Sequence, residues 1–136
     1  VINQPFTSKQ EIMMNELSGL KKYSAWGISG LLTTAYLMAG GSKIAGTEEM
    51  VINFQKWGFP LVFLYVVGFF EVGLAIRLWI PRLSGFSALG LVGLMVGGVG
   101  THLMAGELNA IGPAIVLGVL SSIVSWIRID TLSAAI

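Results

Sequence analysis

Apolar residues fall into four long runs, and the polar residues collect mostly between them. Uncharged stretches extend from Tyr23 to Ser42, Leu83 to Gly106 and Leu108 to Ile127. A fourth run, from Trp57 to Ile80, stays apolar despite Glu71 and Arg77 and is stopped by Pro81. Each run approaches or exceeds the roughly 20 residues a helix needs to cross a hydrocarbon core about 30 Å thick. The pattern predicts an all-α membrane protein: a four-transmembrane-helix bundle with spans over about 23–45, 60–80, 83–105 and 108–127. Residues 1–22 are expected to form a cytoplasmic amphipathic N-terminal segment and 129–136 a cytoplasmic tail.

Two stretches outside the spans have interfacial character. Ser8-Lys9-Gln10-Glu11 has the form of a capping box, followed by Met13, Leu17 and Leu20 at helical spacing. It predicts a short amphipathic helix on the membrane surface. Residues 47–57 predict a second interfacial helix, with Thr47 as its cap, Glu48 and Glu49 at its positive end, and Gly58 and Pro60 as its stop. Met50, Phe54 and Trp57 share one of its faces.

Charge orients this layout. One side holds Lys9, Lys21, Lys22, Arg77, Arg82 and Arg128, and the other only Lys43 and Lys56, beside Glu48, Glu49 and Glu107. The excess of cations predicts that both termini are cytoplasmic in a multi-pass membrane protein. Trp26, Trp79 and Trp126 then mark the inner interface and Trp57 the outer one. The N-terminal residues do not read as a secretory signal, and the first run is expected to remain as an anchor.

Composition narrows the chemistry. Charged residues are 11% of the chain, cysteine is missing and there is one histidine; mean hydropathy is +0.80. Thiolate metal sites, disulfides and thiol relays are excluded, as are bis-histidine haem and the paired Glu-x-x-His motifs of a di-iron bundle. No metal and no intrinsic cofactor are expected. A net charge of +1 without a basic run gives no reason to expect nucleic acid as a partner.

The candidate polar site consists of Glu71, Lys43, His102, Tyr36 and Glu107. A carboxylate inside a span costs about 2.5–3.5 kcal/mol on insertion scales and therefore needs a partner or a cavity. At 1.5 Å per residue, Glu71 lies about 14 Å above the inner end of its helix, and Lys43 and His102 about 28 Å up. Tyr36 is one heptad before Lys43, near the level of Glu71. Gly68 and Ala75 flank Glu71 and leave room for another group. These positions allow a chain from Glu71 through Tyr36 and Lys43 to His102, closed by Glu107 at the outer mouth. Lys43 snorkelling to the headgroups is the plainer alternative for that residue.

A second feature is a smooth stripe, Gly90, Gly93, Gly97 and Gly100, on the third span. Small faces let helices approach closely in lipid, so the stripe predicts packing within the bundle, a contact with a partner or second copy, or a slot for a lipid or isoprenoid tail. His102 points roughly 160° away from it.

Read in order, several segments resemble the DoxX-like family of small membrane proteins. They are Ala39-Gly40-Gly41-Ser42-Lys43, Trp57-Gly58-Phe59-Pro60, Tyr65-Val66-Val67-Gly68-Phe69-Phe70-Glu71, Pro81-Arg82, Thr101-His102 and Pro113, within about residues 32–120. The resemblance implies a four-helix membrane bundle with Lys43, Glu71 and His102 at family-pattern positions. It also implies a role near quinone metabolism, since some relatives look like membrane subunits of quinone-reducing enzymes or of a quinol oxidase. Distant eukaryotic relatives look like cargo receptors or assembly chaperones. The expectation is therefore an accessory subunit of quinone-linked redox metabolism, with quinone or quinol as candidate ligand and the lipid bilayer and a membrane protein as partners. The alternatives are a structural subunit or assembly factor of a larger complex and, last, a small transporter.

Overall fold

The computed structural model describes residues 7–128, all of whose regular elements are helical. Helix α1 is Ser8–Ile44, α2 Glu48–Lys56, α3 Leu61–Arg77, α4 Ser84–Met104 and α5 Gly112–Ile127, with a 3-10 turn at Leu108–Ala110. The tail 129–136 assigned from sequence lies outside the described residues. One helix, Ser84–Met104, is by itself long and apolar enough to cross a membrane. Helices α2 and α3 reach that standard only as a pair bent by 118°, and α5 is apolar but shorter.

Helix α1 differs from its sequence reading in two ways. Its cap is Thr7 rather than Ser8: the Gln10 N–H donates to Thr7 Oγ1 at 3.2 Å, and Gln10 Oε1 accepts from the Thr7 N–H at 2.8 Å. The reciprocal box needs Gln or Glu three residues after the cap, which Gln10 supplies from Thr7. The amphipathic segment is also not a separate helix, because α1 runs unbroken for 37 residues. No proline interrupts the chain between Ser8 and Ile44, and Lys21-Lys22 changes its polarity without stopping it.

The four long helices close a ring: α1 packs on α3, α3 on α4, α4 on α5 and α5 on α1. Inward stripes at helical spacing drive this arrangement. Helix α1 buries Ala25, Ser29, Leu32, Tyr36 and Gly40, and α3 buries Leu64, Gly68, Glu71 and Ala75. Leu32, Tyr36, Ala75, Leu78, Ala88, Leu91, Met95 and Val124 meet in the centre. Outside, Leu31, Met38, Val62, Phe69, Phe70, Val96 and Val116 are exposed. Hydroxyls and a carboxylate lie within a sheath of leucine, valine and phenylalanine, the pattern of a protein whose solvent is lipid.

The ends of α1 and α5 meet. Lys21 lies 5.0 Å from the centre of the Trp126 ring and Arg128 4.7 Å from that of Trp26. Trp26 stacks on Trp79 at 5.3 Å. The three tryptophans assigned to one interface therefore do gather at the basic end. At the other end α2 folds across the bundle, with Phe54 buried against Trp57, Phe59 and Phe63. Gly58, at φ +81°, closes α2 by letting the Phe59 N–H reach the Phe54 carbonyl at 2.9 Å. Thr47 occupies the cap position of α2 but makes no side-chain capping bond.

Helices α1 and α3 cross at glycine. A β-carbon on Gly40 would lie 2.9 Å from the Gly68 carbonyl oxygen, and one on Gly68 would lie 2.9 Å from the Gly40 oxygen and 2.8 Å from Lys43 Cβ. Backbone on both sides leaves little room to yield. Gly68→Ala is therefore expected to destabilise the protein by about 1–3 kcal/mol, while Gly93→Ala, which meets nothing within 4 Å, leaves stability unchanged or slightly raised. Thermal denaturation of the two variants in detergent checks the contrast.

Candidate functional site

The Gly40–Gly68 crossing positions the ion pair, because each glycine lies against the other helix's charged residue: a β-carbon on Gly40 would stand 3.0 Å from Glu71 Cβ and one on Gly68 2.8 Å from Lys43 Cβ. Lys43 is one turn beyond Gly40 on α1, and Glu71 one turn beyond Gly68 on the antiparallel α3. Lys43 Nζ donates to Glu71 Oε2 at 3.0 Å and to Oε1 at 3.3 Å, and also to the Ala39 carbonyl at 3.4 Å. Three acceptors thus serve the three protons of the ammonium group. The side chains are 12% and 4% exposed. Lys43 also sits in the last turn of α1, where a cation complements the helix dipole. It is engaged in the interior and not extended to the headgroups.

Tyr36 is buried but makes a different bond from the expected one. Its hydroxyl lies 3.1 Å from Ser121 Oγ on α5, and Ser121 donates its own proton to the Leu117 carbonyl at 2.7 Å. Tyr36 is therefore the donor, and it ties α1 to α5. No hydrogen bond joins it to Glu71 among the described residues.

His102 and Glu107 form a second group, at the end where α2 lies. Helix α4 ends with Gly106 at φ +74°, and the Glu107 N–H donates to the His102 carbonyl at 2.8 Å. This closure brings the two side chains together. Glu107 Oε1 accepts from Trp57 Nε1 at 2.7 Å and lies 3.3 Å from His102 Nδ1; Oε2 accepts from Lys56 Nζ at 2.8 Å. The edge of one ring meets the face of the other where Trp57 and His102 pack, with centroids 5.2 Å apart. The Lys56 hydrogen bond first, and the Trp57 bond next, hold the Glu107 carboxyl down at about 2. An ionised carboxylate only accepts, so His102 Nδ1 carries the proton of this contact.

The expected chain from Glu71 to His102 is thus three separate groups: Lys43–Glu71, Tyr36–Ser121 and His102–Glu107–Lys56–Trp57. Lys56, Trp57 and Ser121 are the participants that the sequence reading missed as hydrogen-bonding partners. A signal existed for Trp57, since it falls on the inward face of α2 together with Phe54. The glycine stripe divides as well. Gly90 packs under Leu74, whereas a β-carbon on Gly93, Gly97 or Gly100 would meet nothing within 4 Å. The packing glycines of the interior are Gly40 and Gly68 instead. Beside the stripe, a groove of about 280 Å³ between α4 and α5 is lined by residues that include Val92, Val96, Ile115 and Val119.

This constellation of helices, crossing glycines and buried acid occupies the segment matched by the model of one protein family, residues 27–124. The chain belongs to the DoxX-like family. The match includes Lys43, Glu71, His102, both crossing glycines and the glycine stripe. No curated protein and no solved structure matches the chain. Membership identifies a helical membrane protein of this family.

Two outcomes follow from the geometry. Removing one member of the buried pair strands the other in the interior, so Glu71→Gln and Lys43→Met should each lower stability by about 3–5 kcal/mol, while the double variant Lys43→Met/Glu71→Leu recovers most of it. Denaturant unfolding of the three proteins measures this. Glu107 has a folded value of about 2 against 4.5 for an unperturbed carboxyl, so the stability it contributes is complete above pH 4.5 and is lost as pH falls toward 2. Melting curves should therefore steepen in that window for the wild type and flatten for Glu107→Gln.

Proposed function

We propose that this DoxX-like protein crosses the bacterial cytoplasmic membrane four times and serves there as an accessory subunit linked to quinone metabolism. The exposed apolar sheath, the helix ring and the concentration of cations at the terminal end support four crossings with both termini inside. The observation that carries the functional reading is the buried Lys43–Glu71 pair. An ammonium and a carboxylate side by side match a quinone headgroup: the ammonium is a donor for a carbonyl, and the carboxylate an acceptor for the hydroxyl of the quinol.

A shallow apolar groove of about 650 Å³, lined by Ile44, Val62, Tyr65, Val66, Phe69 and Phe70, starts next to Lys43 in sequence and suits an isoprenoid tail. The chain's part is to bind the headgroup and exchange a proton with it at Glu71. Reduction of a quinone takes two electrons and two protons, and the electrons come from a partner protein that carries a redox centre.

Quinone extracted from the protein after gentle purification from its native membranes tests the reading. It is expected to accompany the wild type and to be lost from both Glu71→Gln and the folded double variant Lys43→Met/Glu71→Leu. Equal quinone in the double variant and the wild type would sink the idea.

A second reading, a structural subunit or assembly factor, is favoured by the open glycine face. Gly93, Gly97 and Gly100 offer a smooth strip that no other helix among the described residues covers. If a partner helix sits there, Gly93→Leu/Gly97→Leu leaves the protein folded but releases it from its complex, as read by co-purification. Retention of the partner by that variant argues for the quinone reading alone.

A further inference from the structure

The ion pair and the outer cluster leave a further set of buried polar groups unused, and these lie toward the basic end of the bundle. Ser29, Ser84 and Ser87 are at most 2% exposed. Their hydroxyls have no hydrogen-bond partner, and the same holds for the buried Nε and Nη2 of Arg128 among the described residues. Native interiors rarely leave such groups unmatched, and four toward one end of the bundle need something to satisfy them.

Helix register puts them in one layer. Helices α4 and α5 touch where a β-carbon on Gly118 would lie 3.4 Å from Met95 Cβ. Arg128 is ten residues further along α5, and Ser84 eleven residues back along α4. At 1.5 Å per residue these two depths agree to about 1.5 Å. The Arg128 guanidinium lies 4.7 Å from the Trp26 ring, and Ser29 is the next residue but two on the same face of α1. Ser87 is one turn above Ser84. The layer thus draws on α1, α4 and α5.

Every unmatched group in it can donate. Helix α4 also begins here, at Ser84, and has no side-chain cap. The N–H groups of its first turn have no acceptor within the helix, and its positive end faces the same layer. Among the described residues no acidic side chain bonds to any of these groups. Arg77, Arg82, Lys21 and Lys22 stand at this end and raise the local concentration of anions.

We propose that this inner layer is an anion site for a phosphate group, bound by the Arg128 guanidinium, the Ser29, Ser84 and Ser87 hydroxyls and the first turn of α4. A guanidinium takes phosphate oxygens two at a time, and a helix N-terminus with serine hydroxyls completes the set of donors. The phosphate is either the headgroup of an anionic lipid in the adjoining leaflet or a free phosphate ester. Trp26 and Trp79, stacked beside Arg128, lie at the depth where such headgroups begin. The site is independent of the quinone reading, since it shares no residue with the Lys43–Glu71 pair.

Melting of the full chain in nanodiscs tests the site. Discs of phosphatidylcholine are compared with inorganic phosphate or with chloride at matched ionic strength, and then with discs containing phosphatidylglycerol. Tm is expected to rise saturably with phosphate or with phosphatidylglycerol. Ser84→Ala/Ser87→Ala should weaken that response by roughly ten-fold in apparent affinity. Without either anion the same variant melts no lower than the wild type, because it removes only unmatched hydroxyls. A rise with inorganic phosphate in phosphatidylcholine assigns a free phosphate, and a rise only with phosphatidylglycerol assigns the headgroup. No rise with either, or a rise unchanged in the double serine variant, overturns the proposal.

Discussion

Everything at the centre of this molecule depends on how closely α1 and α3 approach at Gly40 and Gly68. With each backbone about 3 Å from where the other's β-carbon would stand, each glycine lies directly against the other helix's charged residue, Gly40 against Glu71 and Gly68 against Lys43. The pair could not form across an ordinary helix contact, where axes lie 8–10 Å apart behind larger side chains, without the lysine stretching out of its turn. In lipid no hydrophobic force draws the helices together, so the close packing itself and the charge-assisted bonds supply the association. The glycines and the ion pair are one device: the first permits the approach and the second holds it.

The interior is layered along the bundle axis. Near α2 stands the Glu107 group, below it the Lys43–Glu71 pair and then Tyr36–Ser121. Beneath these comes an apolar band that includes Leu32, Leu78, Leu91 and Val124, all fully buried. Ser29, Ser84 and Ser87 lie beyond that band. This order matters for the transporter alternative. The apolar band separates the two polar regions, so a solute or proton would have to cross a layer of leucine and valine side chains. Two separate polar regions fit the arrangement better than one continuous path.

Much of this was legible in the chain and some was not, for identifiable reasons. Helix existence and approximate position followed from long apolar runs, whose signal is strong. Glu71 stood out because a carboxylate in such a run needs a partner, although depth counting placed Lys43 nearer the outer interface and Tyr36 at the level of Glu71. The His102–Glu107 contact was also visible, since five residues spanning a helix end and a glycine bring side chains together. The glycine stripe was left open between packing within the bundle and an outward contact, because spacing alone cannot distinguish a stripe that packs from one that faces outward. Gly90, Gly93, Gly97 and Gly100 form the more regular pattern, yet the single glycines Gly40 and Gly68 make the contact. Tyr36 was assigned to Glu71 from its depth, but rotation about the α1 axis directs it to Ser121. The serines Ser29, Ser84 and Ser87 are ordinary residues in a membrane sequence, and their significance comes from being buried together without partners.

The outer cluster shows how local backbone rules create chemistry that no motif records. A helix that ends at glycine brings the residue after that glycine back against the last turn, and this position is usually filled by an apolar residue. Here it is Glu107, and the residue it meets is His102. A carboxylate at that point requires donors, which α2 supplies by lying across the bundle with Lys56 and Trp57 at its end. The placement of α2 and the closure of α4 are therefore coupled through one side chain. Lys56 is the most exposed of these partners, at 56%, and a rim ion pair of that kind contributes little by itself. The Trp57 indole, half-buried and bonded at 2.7 Å, is the contact that fixes α2, because it joins the apolar packing of Phe54 to the Glu107 carboxylate.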